Sequence, residues 1–347
     1  MSRNPNPQEQ SRAGESRSFT YLGPNIASLD VKMNGNVVMA DATNIRSWYF
    51  GNGFNDDRTV PSPVIEAIEG EVVRVTLDSN LPHTIHFHGL DVDQANDGVP
   101  STSGYVSQDP AAGGFGRVDG DTHLGTPFEY TFVAPHAGTY MYHCHVDAVV
   151  HLAMGMIGTV IVRPPGGSAT EAWSGGPTYD KEFVWHLHTF DSSWHVNGQI
   201  ISGPANVRHR PDFFMINGRD GVNTLDDPTT AIRGIADDGR VLIRTTNIGY
   251  QSALVQLGGL TFDVIASDGR PLVSPLTTDQ QLVAPGERYD LLLTVPAGTD
   301  ELATVDYYDI RLANVLGTAT TEVSSEVPIF KDGFESGDTS MWSSTTP

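Results

Sequence analysis

The chain has 347 residues, 39% of them hydrophobic, enough for two domains with cores of their own. Its 20 Lys and Arg residues face 42 Asp and Glu, a net charge of −22, which argues against nucleic acid or an anionic membrane surface as partner and favours cations. A single cysteine excludes an internal disulfide, and no apolar run of about 18 residues offers a membrane span.

Residues 1–22 are polar, lack the apolar centre of a signal peptide and are expected to form a disordered arm. After them come short stretches rich in Val, Ile, Thr and Tyr, punctuated by 36 glycines and 22 prolines. No apolar stripe of helical period is sustained, so these stretches read as strands and helix should be scarce. Strands are expected at 26–33, 60–77, 84–90, 128–133, 138–145 and 157–162, making a first β-sandwich over 23–165. Residues 166–179, with Gly166, Gly167, Gly175, Gly176 and Pro177, have the composition of a linker. Further strands at 183–190, 240–246, 260–266, 289–295 and 303–308 make a second sandwich over 180–325. Its Asp238-Gly239-Arg240-Val241-Leu242-Ile243-Arg244-Thr245 echoes Glu69-Gly70-Glu71-Val72-Val73-Arg74-Val75-Thr76, as a duplicated fold would. Residues 326–347, centred on Gly333-Phe334-Glu335-Ser336-Gly337, read as a tail.

Six of the 12 histidines fall in two windows, 83–88 and 143–151, with the only cysteine inside the second. Alternate strand residues point to opposite faces. His86 and His88 therefore share one face while His83 opposes them; His143 and His145 share a face while Cys144 opposes them. On one side gather Cys144, His83 and, from the following loop, His151 and Met156, with Met154 a rival for the last place. A thiolate, two imidazoles and a weak axial thioether form the ligand set of a blue, type 1 copper. On the other side stand His86, His88, His143 and His145, four imidazoles suited to further copper and less specifically to zinc.

The runs His83-x-x-His86-x-His88-Gly89, Asp97-Gly98-Val99-Pro100 and Gly138-Thr139-Tyr140-Met141-Tyr142-His143-Cys144-His145, continued to Gly155-Met156, resemble the two-domain, laccase-like multicopper oxidases. The resemblance covers roughly residues 45–325 and implies an all-β chain of two tandem cupredoxin-like Greek-key sandwiches. It implies a type 1 copper that takes electrons singly from a small reductant, a phenol or a metal cation. Electrons then pass through His-Cys-His to a type 2/type 3 copper cluster that reduces dioxygen to water. His86, His88, His143 and His145 would be half of that cluster's histidines, and Asp97 is similar to an acidic residue that supplies protons in some relatives. The resemblance also implies a homotrimer in an extracytoplasmic compartment. Copper nitrite reductases share the fold, but they carry Asp where this chain has His86 and no histidine where His145 stands.

One departure is plain. The remaining cluster histidines should come from the second domain of a neighbouring chain, yet the corresponding stretches, Gln256-Leu257-Gly258-Gly259-Leu260 and Val305-Asp306-Tyr307-Tyr308-Asp309, contain none. The second domain is instead similar to the copper-free middle domain of three-domain oxidases, as in Pro285-Gly286-Glu287-Arg288-Tyr289-Asp290. His186 and His188, on one face of their strand, together with His195 are the expected substitutes, completing a displaced cluster within the chain or across an interface. A copper electron carrier without a full cluster and a nitrite-reductase-like enzyme remain open alternatives on sequence alone.

Overall fold

The structure is a computed structural model that describes residues 20–52, 60–79, 82–103, 128–195, 209–309 and 311–325. The first half contains β1 (Tyr21–Leu22), β2 (Ile26–Val38), β3 (Asn44–Gly51), β4 (Val64–Ile68), β5 (Val72–Asp78) and β6 (His86–His88). Helix α1 (Pro100–Ser103), β7 (Phe128–Val133), β8 (Gly138–His143), helix α2 (Ala148–Ala153) and β9 (Ile157–Arg163) follow. The second half contains β10 (Lys181–Phe190), β11 (Phe213–Ile216), β12 (Arg219–Asp220), β13 (Gly239–Asn247), β14 (Ser252–Leu257) and β15 (Phe262–Ser267). It ends with β16 (Arg270–Thr278), β17 (Gln280–Val283), β18 (Arg288–Val295), β19 (Asp300–Tyr308) and β20 (Val315–Ser324).

Each half is a sandwich. Sheets β1-β4-β9-β8-β6 and β3-β2-β5-β7 enclose a core around Trp48, Phe50, Phe87, Tyr130, Tyr142 and Cys144. Sheets β12-β11-β10-β13-β18-β15-β16 and β17-β14-β19-β20 enclose a second core around Trp185, Phe262 and Tyr307. The sequence echo has a structural counterpart. β5 runs parallel to β2 and antiparallel to β7, and β13 runs parallel to β10 and antiparallel to β18.

The two sandwiches meet sheet to sheet, which explains a contrast in burial. β5 alternates buried and exposed positions, whereas every residue of β8 and β9 is buried, because β10, β13 and β18 cover their outer face. Met141 and Ile157 pack there against Phe190 and Ile248. Beside them lies a buried charge network. Glu182 receives Arg163 at 2.6 and 2.7 Å and Arg244 at 2.7 Å; Arg163 also binds Glu66, and Arg244 reaches Asp290 and Thr139. Glu66, Thr139 and Arg163 belong to the first sandwich and the others to the second, so the network fixes one against the other.

Three sequence expectations need correction. Tyr21–Leu22, expected in the disordered arm, is a strand parallel to Val64 and Ile65, with Tyr21 packed on Val64, Ile161 and Val184. The stretch 60–77 is two strands, split at Gly70, whose φ of +80° favours glycine. The segment 166–179 is no free linker: Ala172 and Tyr179 are buried on Leu242, Ile265 and Leu292, with Trp173 packed alongside. The tail 326–347 and the start of the arm lie outside the described residues.

Candidate metal centre

β8 carries the site because its pleat serves both sides. Tyr140, Tyr142 and, just beyond the strand, Cys144 enter the first core, while Thr139, Met141 and, by the same alternation, His143 face the second sandwich. Asp147 takes a left-handed conformation, φ 45°, and its carbonyl receives the amides of Val150 and His151, which starts α2. That short helix turns His151 back over Cys144. His151 Nδ1 lies 3.1 Å and His83 Nδ1 3.6 Å from Cys144 Sγ. Met156 is fully buried in the same core; its amide donates to the His151 carbonyl and its carbonyl accepts from the Cys144 amide. Gly155, at φ +105°, makes this approach possible, since a Cβ there would lie 2.5 Å from Val60 Cγ2.

The electrostatics suit a soft cation. Burial lowers the imidazole pKa to about 3 at His83 and about 4 at His151, so both are neutral donors at ordinary pH. Burial pushes the Cys144 thiol up to about 12, so a metal bound there must displace its proton. The Trp48 ring meets His151 edge-on at 5.3 Å and excludes water. One thiol, two converging neutral imidazoles and an adjacent buried thioether fit copper as a one-electron centre.

Across the strand, ligand atoms of His86, His88 and His143 lie within 4.8 Å of one another. Register places them: His86 pairs with His143, and His88 with Met141. The His145 ring stands 5.1 Å from that of His86 and 5.9 Å from that of His143, and its amide is held by Thr84 Oγ1. His86 Nδ1 faces the Asp97 carbonyl at 2.7 Å and the Asp97 carboxylate at 3.3 Å. His143 Nδ1 bonds the Cys144 carbonyl at 3.0 Å. These partners occupy one nitrogen of each ring and leave the other for a metal, the usual outer support of a histidine site. Asp97 can sit there because Gly98, at φ +77°, allows the chain to pass where a Cβ would fall 1.8 Å from the Ile85 carbonyl oxygen.

Sequence profiles of multicopper oxidases match residues 29–166 and 188–325. The chain belongs to the multicopper oxidase family. Among relatives, Laccase-18 of Oryza sativa subsp. japonica is 28% identical over 265 residues, 73% of this chain and 39% of that protein. Multicopper oxidase MmcO of Mycobacterium tuberculosis is 25% identical over 283 residues, 74% of this chain and 51% of that protein. The chain thus spans about two fifths to one half of these curated relatives. The blue copper oxidase of Nitrosomonas europaea superposes with a TM-score of 0.65 at 26% identity, covering 86% of this chain and 85% of that one. The cupredoxin-like fold of both sandwiches follows.

In this multicopper oxidase the histidines of the second sandwich do not join the cluster face. Among the described residues, only the two groups above bring three or more such ligand atoms together. His186 pairs across β13 with Thr246, and Thr246 across β18 with Arg288; below them Thr159 pairs with Met141, and Met141 with His88. His186 contacts Thr159 and Thr246, so it sits two strands away from His88. His188 and His195 each pack on Phe190, and His195 Nδ1 bonds the Arg46 carbonyl at 2.6 Å. With exposures of 0%, 1% and 5%, His186, His188 and His195 are buried within the chain. Within the chain, the described residues therefore do not bring His186, His188 and His195 together with His86, His88 and His143, which the displaced-cluster expectation required.

What covers the cluster face instead was not singled out from the sequence as part of the site. His88 hydrogen-bonds the Gly286 carbonyl, which Arg288 also binds at 2.9 Å. Arg288 packs so close that a Cβ on Gly89 would lie 2.1 Å from its Nη2. Burial first and this guanidinium second lower the His88 pKa to about 4.

The second-sandwich histidines have a different consequence. Burial lowers His186 to about 3, against an ordinary value of 6.5. The unfolded chain therefore takes up a proton there as pH falls below 6.5 while the native chain does not, and stability declines down to about pH 3. The loss is up to about 1.4 kcal/mol per pH unit. For metal-free protein, His186→Gln should flatten the dependence of unfolding free energy on pH between pH 6 and 4 by about one proton. Urea titrations at several pH values measure this.

Proposed function

We propose that the chain is a laccase-like copper oxidase, in which small one-electron donors are oxidised at the Cys144 site and dioxygen is reduced to water at the histidine face behind it. The observation that carries this reading is the back-to-back placement. Cys144 with His83 and His151 occupies one side of the end of β8, His86, His88 and His143 the other, and residues 143–145 join the two covalently. Bound copper would supply reversible one-electron chemistry at the first place and dioxygen activation at the second.

The chain's own residues do the rest. His83, Cys144, His151 and Met156 would hold the first copper in a dry pocket whose walls resist rearrangement between oxidation states. His86, His88, His143 and His145 would present four imidazoles to the cluster, with Gly286, Asp97 and the Cys144 carbonyl fixing their rings. The Asp97 carboxylate, beside His86 and partly open to solvent, is placed to hand protons to that face. Outside the described residues this chain has one further histidine, His123. A homotrimer in an extracytoplasmic compartment agrees with the family reading. Among the described residues no helix is long and apolar enough to cross a membrane.

Dioxygen consumption by the copper-loaded protein with a phenolic donor tests this function. Uptake that yields water without hydrogen peroxide supports the reading. Reduction of the blue centre with no dioxygen uptake would make the protein an electron carrier, and nitric oxide formed from nitrite would make it a reductase.

A further inference from the structure

The turn between β17 and β18 rests on the histidine face. Gly286 lies at φ +91°, its amide donates to the Asn247 carbonyl at 2.7 Å, and the Ala284 amide donates to Glu287 Oε2 at 2.7 Å, so the turn is held from both sides. A Cβ on Gly286 would stand 3.6 Å from His88 Nε2, in contact with the ring. The Gly286 carbonyl accepts from two donors, His88 and Arg288 Nη1.

Arg288 brings a buried and incompletely offset positive charge to that contact. Its backbone amide and its Nη1 both meet Asp268 Oδ1 at 3.1 Å, but that carboxylate is half-exposed. Among the described residues its buried Nε has no hydrogen-bond partner. Neighbouring charges are paired elsewhere: Asp290 binds Thr139 and Arg244, and Arg270 binds Asp91. The Tyr140 ring centre lies 5.9 Å from the Arg288 Cζ, a cation–π contact that screens the guanidinium little. The two sandwiches thus give the face opposite charges, the carboxylate of Asp97 at His86 and the guanidinium of Arg288 at His88.

We infer that Arg288 is a positioning residue whose charge, held at His88 through the carbonyl they share, makes copper on the histidine face easier to reduce. The inference rests on the reading of that face as a copper site. A fixed cation beside a metal opposes the doubly charged ion more than the singly charged one, and it does so strongly where water is excluded. Copper(I) is therefore favoured over copper(II). The electron balance is one for one: the small donor of the proposed function loses one electron at the Cys144 site, and one copper(II) on the face becomes copper(I).

Copper affinities of Cys144→Ser, in which the thiolate place is gone, test this. Copper(I) is titrated against bicinchoninate without oxygen and copper(II) against nitrilotriacetate, in that protein and after adding Arg288→Met or Arg288→Lys. Arg288→Met should lower the ratio of copper(I) to copper(II) affinity about tenfold, a shift of about 59 mV for one electron. Arg288→Lys keeps the charge and loses the planar fork, so its ratio should stay within about threefold of the parent. An unchanged ratio in Arg288→Met, or an equal fall in Arg288→Lys, overturns the inference while the copper reading stands. If Arg288→Met fails to fold, Asp268→Asn decides, because asparagine tolerates the left-handed backbone there, φ 51°, and keeps the acceptor for the Arg288 amide. Removing that counter-charge should raise the ratio, and no rise overturns the inference. A Cys144→Ser protein that binds no copper overturns the copper reading of the face, and this inference with it.

Discussion

Cys144→Ser is expected to abolish the thiolate-to-copper absorption and to lower dioxygen-coupled turnover by more than the about 10–100-fold typical of substitutions around a metal's ligands. The serine hydroxyl is nearly isosteric but is a hard donor that does not ionise in a dry core, so it offers copper(I) no soft anionic ligand. Cys144 is fully buried, with two imidazole nitrogens at 3.1 and 3.6 Å, so no other sulfur or water can take its place without repacking. Its neighbours His143 and His145 should be left where they are, because their positions come from the pairing of β8 with β6 and from Thr84. The variant therefore separates the two copper places: colour and turnover go, and copper on the histidine face stays. Absorption spectra and dioxygen uptake, measured with a phenolic donor, check it.

Glu182→Gln is expected to lower the unfolding free energy by about 3–5 kcal/mol, the range for removing one partner of a buried ion pair. Burial alone would push this carboxyl up, but Arg163 and Arg244 override it and hold it well below the usual carboxylate range. Without the charge, the carboxylates left among the described residues for the two guanidiniums, at 3% and 0% exposure, are Glu66 and Asp290. The pH dependence has a definite sign. A depressed carboxyl stabilises above its ordinary value of 4.5 and loses that contribution as pH falls through its native one. The advantage of wild type over Glu182→Gln should thus be full at pH 7 and shrink below about 4. Urea midpoints at these pH values measure it.

Much of the site could be read from spacing alone, because strand parity is a local rule. It assigned Cys144 and His83 to one face and His86, His88 and His143 to the other, the two groupings the folded chain makes. Parity also put His186 and His188 on one face of their strand, and they do share the face that meets the first sandwich. What parity cannot say is which strand of the facing sheet lies opposite. There the register sets His186 over Thr159 and gives the place over His88 to Arg288.

Strands missed in the sequence share a physical cause as well. β16, Arg-Pro-Leu-Val-Ser-Pro-Leu-Thr-Thr, is a sheet edge carrying two prolines, with Val273 fully exposed, so no apolar alternation marks it. The segment 166–179 misled in the opposite way. Its Gly and Pro content reads as a linker, while Ala172, Trp173 and Tyr179 supply the contacts that pin it to the second sandwich.

The central claim is that one strand end holds copper on both of its sides. The most direct measurement is copper per chain in fully loaded wild type and in Cys144→Ser, taken together with visible spectra. The account predicts a blue wild type with at least two coppers per chain, and a colourless variant that has lost one of them and kept the rest. A single copper per chain that disappears completely with Cys144 would contradict it, because the histidine face would then hold none.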